Sequence, residues 1–388
     1  MTRVLLVCEY PSLHGGERSM LATLAGLRRA GFSIAVMGPP EGPLAEAVRS
    51  QDLEVVPFEF RDTAGRRLPQ DRLRSRLARQ IERRSPELLH ANSLAMGRLC
   101  GPVAADLKLP SIAHLRDIVR LSRRAVADLN RNTRLLAVSR ATREFHVAAG
   151  VSAAKTHVVY NGVDLARFRP RPPTGYLHRE LGLPPGTPLV GTIGQICLRK
   201  GQDALLKAAV LLTGELPEVH YVIVGRRWSE KAESRRFEAD LHAVAGTPLA
   251  GRVHFLDVRD DVDRILNELV LLVHPARQEP LGRVLLEAAA SGIAVLATDV
   301  GGTREIFPPR SAAARLVPPD APPSLAAAIA ELLSDGPGRR RLATAARRRA
   351  EEAFTASRAA ADLVRHYGQT LSVSAEITCT NHLRGGTP

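Results

Sequence analysis

The sequence predicts an α/β protein built from two Rossmann-like domains that face one another across a cleft. Three observations carry this. The chain has 388 residues, past the roughly 250–300 at which one hydrophobic core stops growing. Short, continuously apolar runs alternate with amphipathic stretches, the pattern of a parallel sheet covered on both faces. The β-α-β-α rhythm breaks at RPRPPTGYLHRELGLPPGTP (169–188), dense in Pro and Gly, and then starts again.

In the first half, VLLVC (4–8), SIAVMG (33–38), ELLHAN (87–92), SIAHL (111–115) and RLLAVS (134–139) read as strands. The segment from Glu17 to Ala30 reads as a helix that Gly31 ends. In the second half the strands are LVGTIG (189–194), HYVIVG (220–225), RVHFLD (252–257), LVLLVHP (269–275) and IAVLATD (293–299). Residues 322–367 are helical in pattern, and 368–388 show no periodicity. The expected division is a first domain over 1–170, a linker over 171–186, a second domain over 187–350, a C-terminal helix over 351–367 and a mobile tail over 368–388.

A composition of 45% hydrophobic and 24% charged residues is that of a globular protein. Cys8, Cys100, Cys197 and Cys379 are scattered, with no CxxC pair and no neighbouring His cluster. This predicts a reducing compartment and neither a zinc site nor a disulfide framework. No apolar run reaches the roughly 18 residues of a membrane-spanning helix. The apolar core of the opening MTRVLLVCEYP is five residues, too short for a signal peptide. The expected location is cytoplasmic. The net charge of +14 is uneven: residues 1–186 carry 29 Lys and Arg against 17 Asp and Glu (+12), and 187–388 carry 25 against 23 (+2). Arg72, Arg76, Arg79 and Arg83 recur at helical spacing within 67–84 beside Leu73, Leu77 and Ile81. A field of that sign attracts nucleic acid, anionic membrane or an acidic substrate, although a solvated helix face explains the stripe equally well.

No GxGxxG follows the first strand and no GxxxxGK[ST] occurs, which disfavours a dinucleotide oxidoreductase and a P-loop NTPase. Three other stretches can serve a phosphorylated ligand. In LHGGERS (13–19), Gly15 and Gly16 precede a helix whose N-terminus offers unpaired N–H groups; a tight turn is the competing reading. In GQICLRKG (194–201), Arg199 and Lys200 sit at a strand's carboxyl end, where they can neutralise a diphosphate or form a solvated pair. In QEPLGRVLLEAAASG (278–292), Gly282 marks the change from loop to helix, with Glu279 in the loop and Glu287 inside the helix. Glutamate is seldom buried alone. The pair suits a ligand with hydroxyls at both ends, or else a helix-start residue plus a satisfied core residue.

EPLGRVLLE followed by SGIAVLATDVGGTREI (279–306) resembles the E-x7-E signature of retaining GT-B glycosyltransferases of the family-4 type. The resemblance extends over about residues 3–367. It includes the opening strand with its Gly-Gly loop, the segment 135–170 with the NGVD turn (161–164), and GQICLRKG in place of the family's G-[RQN]-x4-KG. It implies a GT-B fold whose first domain takes the acceptor and whose second takes a nucleotide-sugar donor, with the C-terminal helix packing back on the first domain.

The resemblance also implies roles. Glu279 and His114 would be catalytic, Glu279 at the donor sugar's hydroxyls and His114 near the transferred sugar. From its own surroundings, His114 reads as a core or loop histidine. Lys200, Arg199 and Gln195 would lie at the diphosphate, with Gly16 approaching it from the first domain. The backbone at Leu281 and Gly282 would meet sugar or phosphate, Glu287 would hold the ribose, and Val258 would lie at the base. The chain departs from the family at Gln195, where many members have arginine, at Leu281, commonly aromatic, and at Ala276, commonly serine. DDVD (260–263) has the look of a metal-binding DxD but reads as a surface loop, so no metal or other cofactor is expected. The activity implied is retaining transfer of a hexose-type sugar to a saccharide or lipid-linked saccharide, in cell-envelope or polysaccharide synthesis. The basic first domain then suggests an anionic acceptor or peripheral contact with the membrane's inner face. The alternatives are a nucleotide-sugar epimerase or phosphorylase on the same scaffold, and a basic nucleic-acid-binding or regulatory module. Against the last stands an aromatic content of 4%, low for stacking on bases.

Overall fold

The structure, a computed structural model, describes residues 1–384, with side chains to residue 373. The chain forms two compact units, Met1–Gly162 with the C-terminal segment from Ala356, and Val163–Thr355.

The first unit begins with β1 (Thr2–Val7), α1 (Gly15–Arg29), β2 (Phe32–Gly38), α2 (Pro43–Arg49) and β3 (Glu54–Pro57). It continues with α3 (Gln70–Arg84), β4 (Leu88–Ala91), α4 (Leu94–Asp106) and β5 (Ser111–Leu115). Then come α5 (Arg123–Asn130), β6 (Arg134–Ala137), α6 (Arg140–Ala148) and β7 (Thr156–Val158). All seven strands are parallel, in the order β3-β2-β1-β4-β5-β6-β7. Helices α4, α5 and α6 start on serine caps: the hydroxyls of Ser93, Ser122 and Ser139 accept from the N–H groups of Met96, Ala125 and Thr142.

The second unit opens with α7 (Tyr176–Glu180), β8 (Leu189–Ile193), α8 (Gln202–Leu211), β9 (His220–Val224), α9 (Ala232–Gly246) and β10 (Val253–Leu256). It continues with α10 (Val262–Glu268), β11 (Leu271–His274), α11 (Arg283–Ala290), β12 (Val295–Thr298) and α12 (Thr303–Ile306). It closes with β13 (Arg315–Val317), α13 (Pro322–Ser334) and α14 (Gly336–Ala353). Its six strands are also parallel, ordered β10-β9-β8-β11-β12-β13. Every residue of β5, β8, β11 and β12 is buried, which is why these strands are mainly apolar without regular polar alternation. The strands that the pattern did not reveal, β3, β7 and β13, are short and lie at sheet edges.

After α14 the chain returns to the first unit as α15 (Ala356–Arg384). Its Leu363 and Tyr367 join Met20, Leu24 and Leu27 of α1 in the core on one face of the sheet, while Leu73, Leu77 and Ile81 of α3 line the other face.

Two expectations about chain organisation are corrected. The stretch 171–186 is not a free linker but part of the second unit. Arg171 pairs with Asp263 at 2.8 Å, and the buried Glu268 carboxylate accepts from the Thr174 hydroxyl and from the backbone N–H groups of Thr174 and Gly175. Pro and Gly content says nothing of a carboxylate some 90 positions away that pins the segment. The boundary accordingly falls after Gly162 and not at 170. The tail expected from 368 is instead a continuation of α15 to Arg384, with 385–388 outside the described residues. Thr370 is fully buried one turn beyond His366 and donates its hydroxyl to the His366 carbonyl, so a polar residue continues the inward face and hides the period. Cys379 lies beyond the described side chains; Cys8, Cys100 and Cys197 are free thiols. Among the described residues no helix is long and apolar enough to cross a membrane.

Candidate functional site

In each sheet the strand order reverses once, between β1 and β4 and between β8 and β11. Loops leaving neighbouring strands diverge there at their carboxyl ends, which is where open parallel sheets bind ligands.

In the second unit, β8 and β11 are hydrogen-bonded neighbours, with Leu271 opposite Val190. The loops that follow them are laced together. The Arg277 backbone N–H donates to the Arg199 carbonyl at 2.9 Å, and Arg199 Nη1 donates to the Gln278 carbonyl at 3.3 Å. The lacing brings Lys200 Nζ to 2.5 Å from Glu279 Oε2, across 79 positions of sequence. His274, the last residue of β11, donates from Nε2 to the same oxygen at 2.7 Å. Burial pushes the Glu279 carboxyl up, but Lys200, the His274 hydrogen bond and Arg199 outweigh it and hold the group far below the usual carboxylate range. Burial, reinforced by Lys200, holds His274 below its ordinary value against the pull of Glu279. An ionised carboxylate only accepts, so the neutral imidazole carries its proton on Nε2.

Backbone geometry holds Glu279 in place. Gly302 donates its N–H to the Glu279 carbonyl at 2.9 Å. Gly301, at φ 51°, lies so close that a Cβ there would run into that carbonyl. The GG of VGGTREI is therefore a clamp on Glu279. Gly282, at φ 97°, forms the turn into α11, and a side chain on it would press on Leu285 and on Glu279 itself.

The remaining donor candidates fall in different places. Glu287 is buried on α11 and its Oε1 forms an ion pair with Arg283, Nε lying 2.7 Å away, an internal partner for its charge. Leu281 turns a buried side chain inward, leaving its backbone for any contact. Gln195 is half-buried just after β8, and its carbonyl accepts from Gln202 Nε2 at 2.9 Å. Val258 is 49% exposed beyond β10, two strands from β8.

Two of the three DDVD carboxylates are occupied within the fold: Asp261 binds Arg259 at 2.8 Å and the Tyr176 hydroxyl at 2.9 Å, and Asp263 binds Arg167 and Arg171. Among the described residues no group of three or more His, Cys, Asp and Glu is placed to hold a metal ion.

In the first unit, Gly16 and His114 meet through Arg116, which sequence reasoning missed. Arg116 donates to the Asn92 carbonyl at 2.9 Å, to Asn92 Oδ1 at 2.8 Å and to Asn161 Oδ1 at 2.9 Å. Gly15 and Gly16 do not precede the helix but form its first turn, and a Cβ on Gly16 would stand 3.1 Å from Arg116 Cδ, so the start of α1 lies directly on that side chain. His114, at the end of β5, is buried, and Arg116 Nη2 is 3.3 Å from its Nδ1. Burial first, then Arg116, His90 and His366, hold the His114 imidazole well below its ordinary value.

The signal for these overlooked residues was present only in part. His274, Asn92 and Arg116 stand at or just after strand ends (LVLLVHP, ELLHAN, SIAHLRD), but their joining depends on which strands lie side by side.

Residues 13–167 match the model of the family described as Glycosyltransferase Family 4, and residues 176–349 that of Glycosyl transferases group 1. The chain is 30% identical over 223 residues to spore coat protein SA of Bacillus subtilis, an alignment covering 55% of this chain and 59% of that protein. It thus spans about three fifths of that relative. It is 28% identical over 370 residues to a GDP-mannose-dependent alpha-mannosyltransferase of Mycobacterium tuberculosis, covering 89% of this chain and 91% of the relative. Among solved structures it is similar to Anabaena Alr3699/HepE in complex with UDP-glucose, with a TM-score of 0.84 at 22% identity, covering 95% of this chain and all of that one. At that identity the likeness is one of fold.

Proposed function

Because the chain belongs to the GT-B glycosyltransferases of the family-4 type, we propose that it moves a hexose-type sugar from a nucleoside-diphosphate donor to a saccharide or lipid-linked saccharide, with retained anomeric configuration. The setting we propose is cell-envelope or polysaccharide glycan synthesis. The observation that carries this is the buried Lys200–Glu279–His274 cluster, with Arg199 beside it, at the carboxyl ends of β8 and β11.

The roles proposed are those that the family resemblance implies for these residues. Both hydrogen bonds to the Glu279 carboxylate go to Oε2, so the ionised group keeps Oε1 for sugar hydroxyls. Lys200 and Arg199 neutralise the charge that develops on the departing diphosphate. Gln195 and the backbone at Leu281 and Gly282 line the phosphate and sugar, Glu287 takes the ribose hydroxyls and Val258 the base. Gly16 and His114 serve the same reaction from the first unit, where the acceptor binds. The Mycobacterium relative is named for GDP-mannose and the Anabaena structure holds UDP-glucose, so the donor screen spans both bases.

Thermal-shift measurement with UDP-, GDP- and ADP-sugars tests this reading. One donor is expected to raise the melting temperature, by a few degrees at about 100 times its dissociation constant; no shift with any donor sinks it. No metal cofactor enters the proposal, since two cationic side chains flank the site and the Asp261 and Asp263 carboxylates of DDVD are held by arginines. Donor binding and transfer are accordingly expected to survive chelation by EDTA, and loss of both on chelation would overturn this part.

The +12 balance of the first half supports an anionic acceptor or membrane. Arg72, Arg79 and Arg83 are exposed on α3, whereas Arg76 lies over the Phe58 ring and donates to the Glu59 carbonyl. Reversing Arg72, Arg79 and Arg83 to glutamate is expected to weaken sedimentation with phosphatidylglycerol vesicles and to steepen no thermal transition. Unchanged sedimentation would remove the membrane.

A further inference from the structure

A buried chain of hydrogen bonds in the first unit runs from the C-terminal helix to His114. The Tyr367 hydroxyl of α15 lies 2.6 Å from His90 Nδ1, at the end of β4. His90 Nε2 lies 2.8 Å from His114 Nδ1, and Arg116 Nη2 lies 3.3 Å from that same nitrogen. The three rings are 0%, 1% and 4% exposed for Tyr367, His90 and His114.

The direction of every link follows from one fact. A guanidinium donates and never accepts, so His114 Nδ1 is an acceptor. His90 must then donate to it from Nε2, which leaves His90 Nδ1 bare to accept the Tyr367 O–H. Burial, with Arg116 adding to it, keeps both imidazoles neutral at ordinary pH, His90 being pushed down to about 3. A neutral His114 with a bare Nδ1 carries its proton on Nε2. The donor atoms thus run Tyr367 to His90 to His114, all polarised the same way.

We propose that Tyr367 and His90 are positioning residues that hold His114 in the tautomer presenting Nε2–H, so that His114 acts as a hydrogen-bond donor to a substrate oxygen and not as a base. The helix that returns from the second unit thereby sets the chemistry of a residue near the carboxyl end of β5, inside the first sheet. Tyr367 can do this because it is fixed from both sides, its ring edge-on to Phe32 at 5.1 Å and to His90 at 5.6 Å. The proposal rests on the reading of His114 as a residue of the transfer site.

The test uses the full chain labelled with 15N in its histidine rings, in which long-range proton–nitrogen correlations identify the protonated nitrogen of each ring. His114 and His90 are each expected to be Nε2–H in the unaltered protein. Tyr367→Phe removes the only donor to His90 Nδ1 in the chain described, and His90 and His114 are expected to show mixed tautomers. His90→Gln can still accept from Tyr367 and donate to His114, so it is expected to preserve the His114 tautomer that His90→Leu loses. With GDP-mannose and UDP-glucose as donors, Tyr367→Phe is expected to lower kcat by roughly tenfold, the worth of one hydrogen bond, with donor KM changed by less than about twofold. His90→Gln is expected to recover most of the kcat that His90→Leu loses. An Nδ1–H His114 in the unaltered protein, or a His114 tautomer untouched by both Tyr367→Phe and His90→Leu, overturns the proposal. If the unaltered protein turns over no sugar nucleotide, the transferase reading fails, while the ring-nitrogen measurement still decides the positioning role.

Discussion

Glu279→Gln is expected to cut sugar transfer by about 10²–10³-fold while leaving nucleoside-diphosphate binding nearly intact, the range seen when one preorganised polar group is removed from a reacting centre. The substitution keeps the side chain's length and an oxygen that can still accept from His274 Nε2, now at 2.7 Å. What it removes is the charge that pairs with Lys200 at 2.5 Å and that three neighbours hold ionised. Lys200→Met is expected to differ in kind, because it takes away a cation proposed to lie at the diphosphate: UDP or GDP binding should weaken along with transfer. Both single variants leave a largely buried charge without its partner, a loss of about 3–5 kcal/mol for fully buried pairs. Lys200 keeps some access to water at 14% exposure, so the lower end applies. The double variant is expected to be more stable than the sum of the two losses, since neither charge is then stranded. Isothermal titration with UDP and GDP, steady-state transfer and thermal melts read the three quantities separately. A Glu279→Gln protein that transfers sugar at the unaltered rate would remove Glu279 from the reaction.

The second large effect is acid lability. His90 and His114 in the first unit and His274 in the second are buried and neutral, each held below its ordinary value by desolvation first of all. His366 is pushed down to about 4, again chiefly by burial, with Arg134 next. In the unfolded chain these rings take up a proton below about pH 6.5, whereas in the folded chain His366 does so only near 4 and His90 only near 3. As pH falls below 6.5 the unfolded state therefore binds more protons than the native one, and stability declines. The limiting slope is about 1.4 kcal/mol per pH unit for each such ring. Glu279 acts in the same direction: its folded value is depressed, so its contribution is present above the ordinary carboxylate value of 4.5 and fades as pH drops below it. The melting temperature is expected to fall steadily from pH 7 to pH 5, with His90→Gln giving a shallower slope. Native-state hydrogen exchange at pH 5 should show β4, β5 and the start of α15 opening first, because His90, His114 and His366 lie there. A melting temperature that does not change between pH 7 and pH 5 would contradict the neutral, buried state of these rings.

Much of this was legible from the amino-acid sequence by itself. Strands such as SIAHL and LVGTI are buried on both faces, so each announces itself locally as a mainly apolar run without regular polar alternation. The glycines around Glu279 and the cations of LRKG likewise carry their chemistry within a few residues. What no local pattern contains is adjacency. Lys200 reaches Glu279 because β8 pairs with β11, and Arg116 gathers Asn92 and His114 because β4 pairs with β5. Nothing local sets His274 or His90 apart from other residues near strand ends; their partners do. The segment 171–186 and the end of α15 depart from the local pattern for the same reason: Glu268 and the core beneath Thr370 are supplied from elsewhere in the fold. Periodicity and short motifs are local properties, so the two α/β units, the family and the loops that carry the charged residues can all be read along the chain. Which of those residues share a hydrogen bond, and in which direction its proton points, depends instead on strand order and on a helix that returns from the far end of the chain.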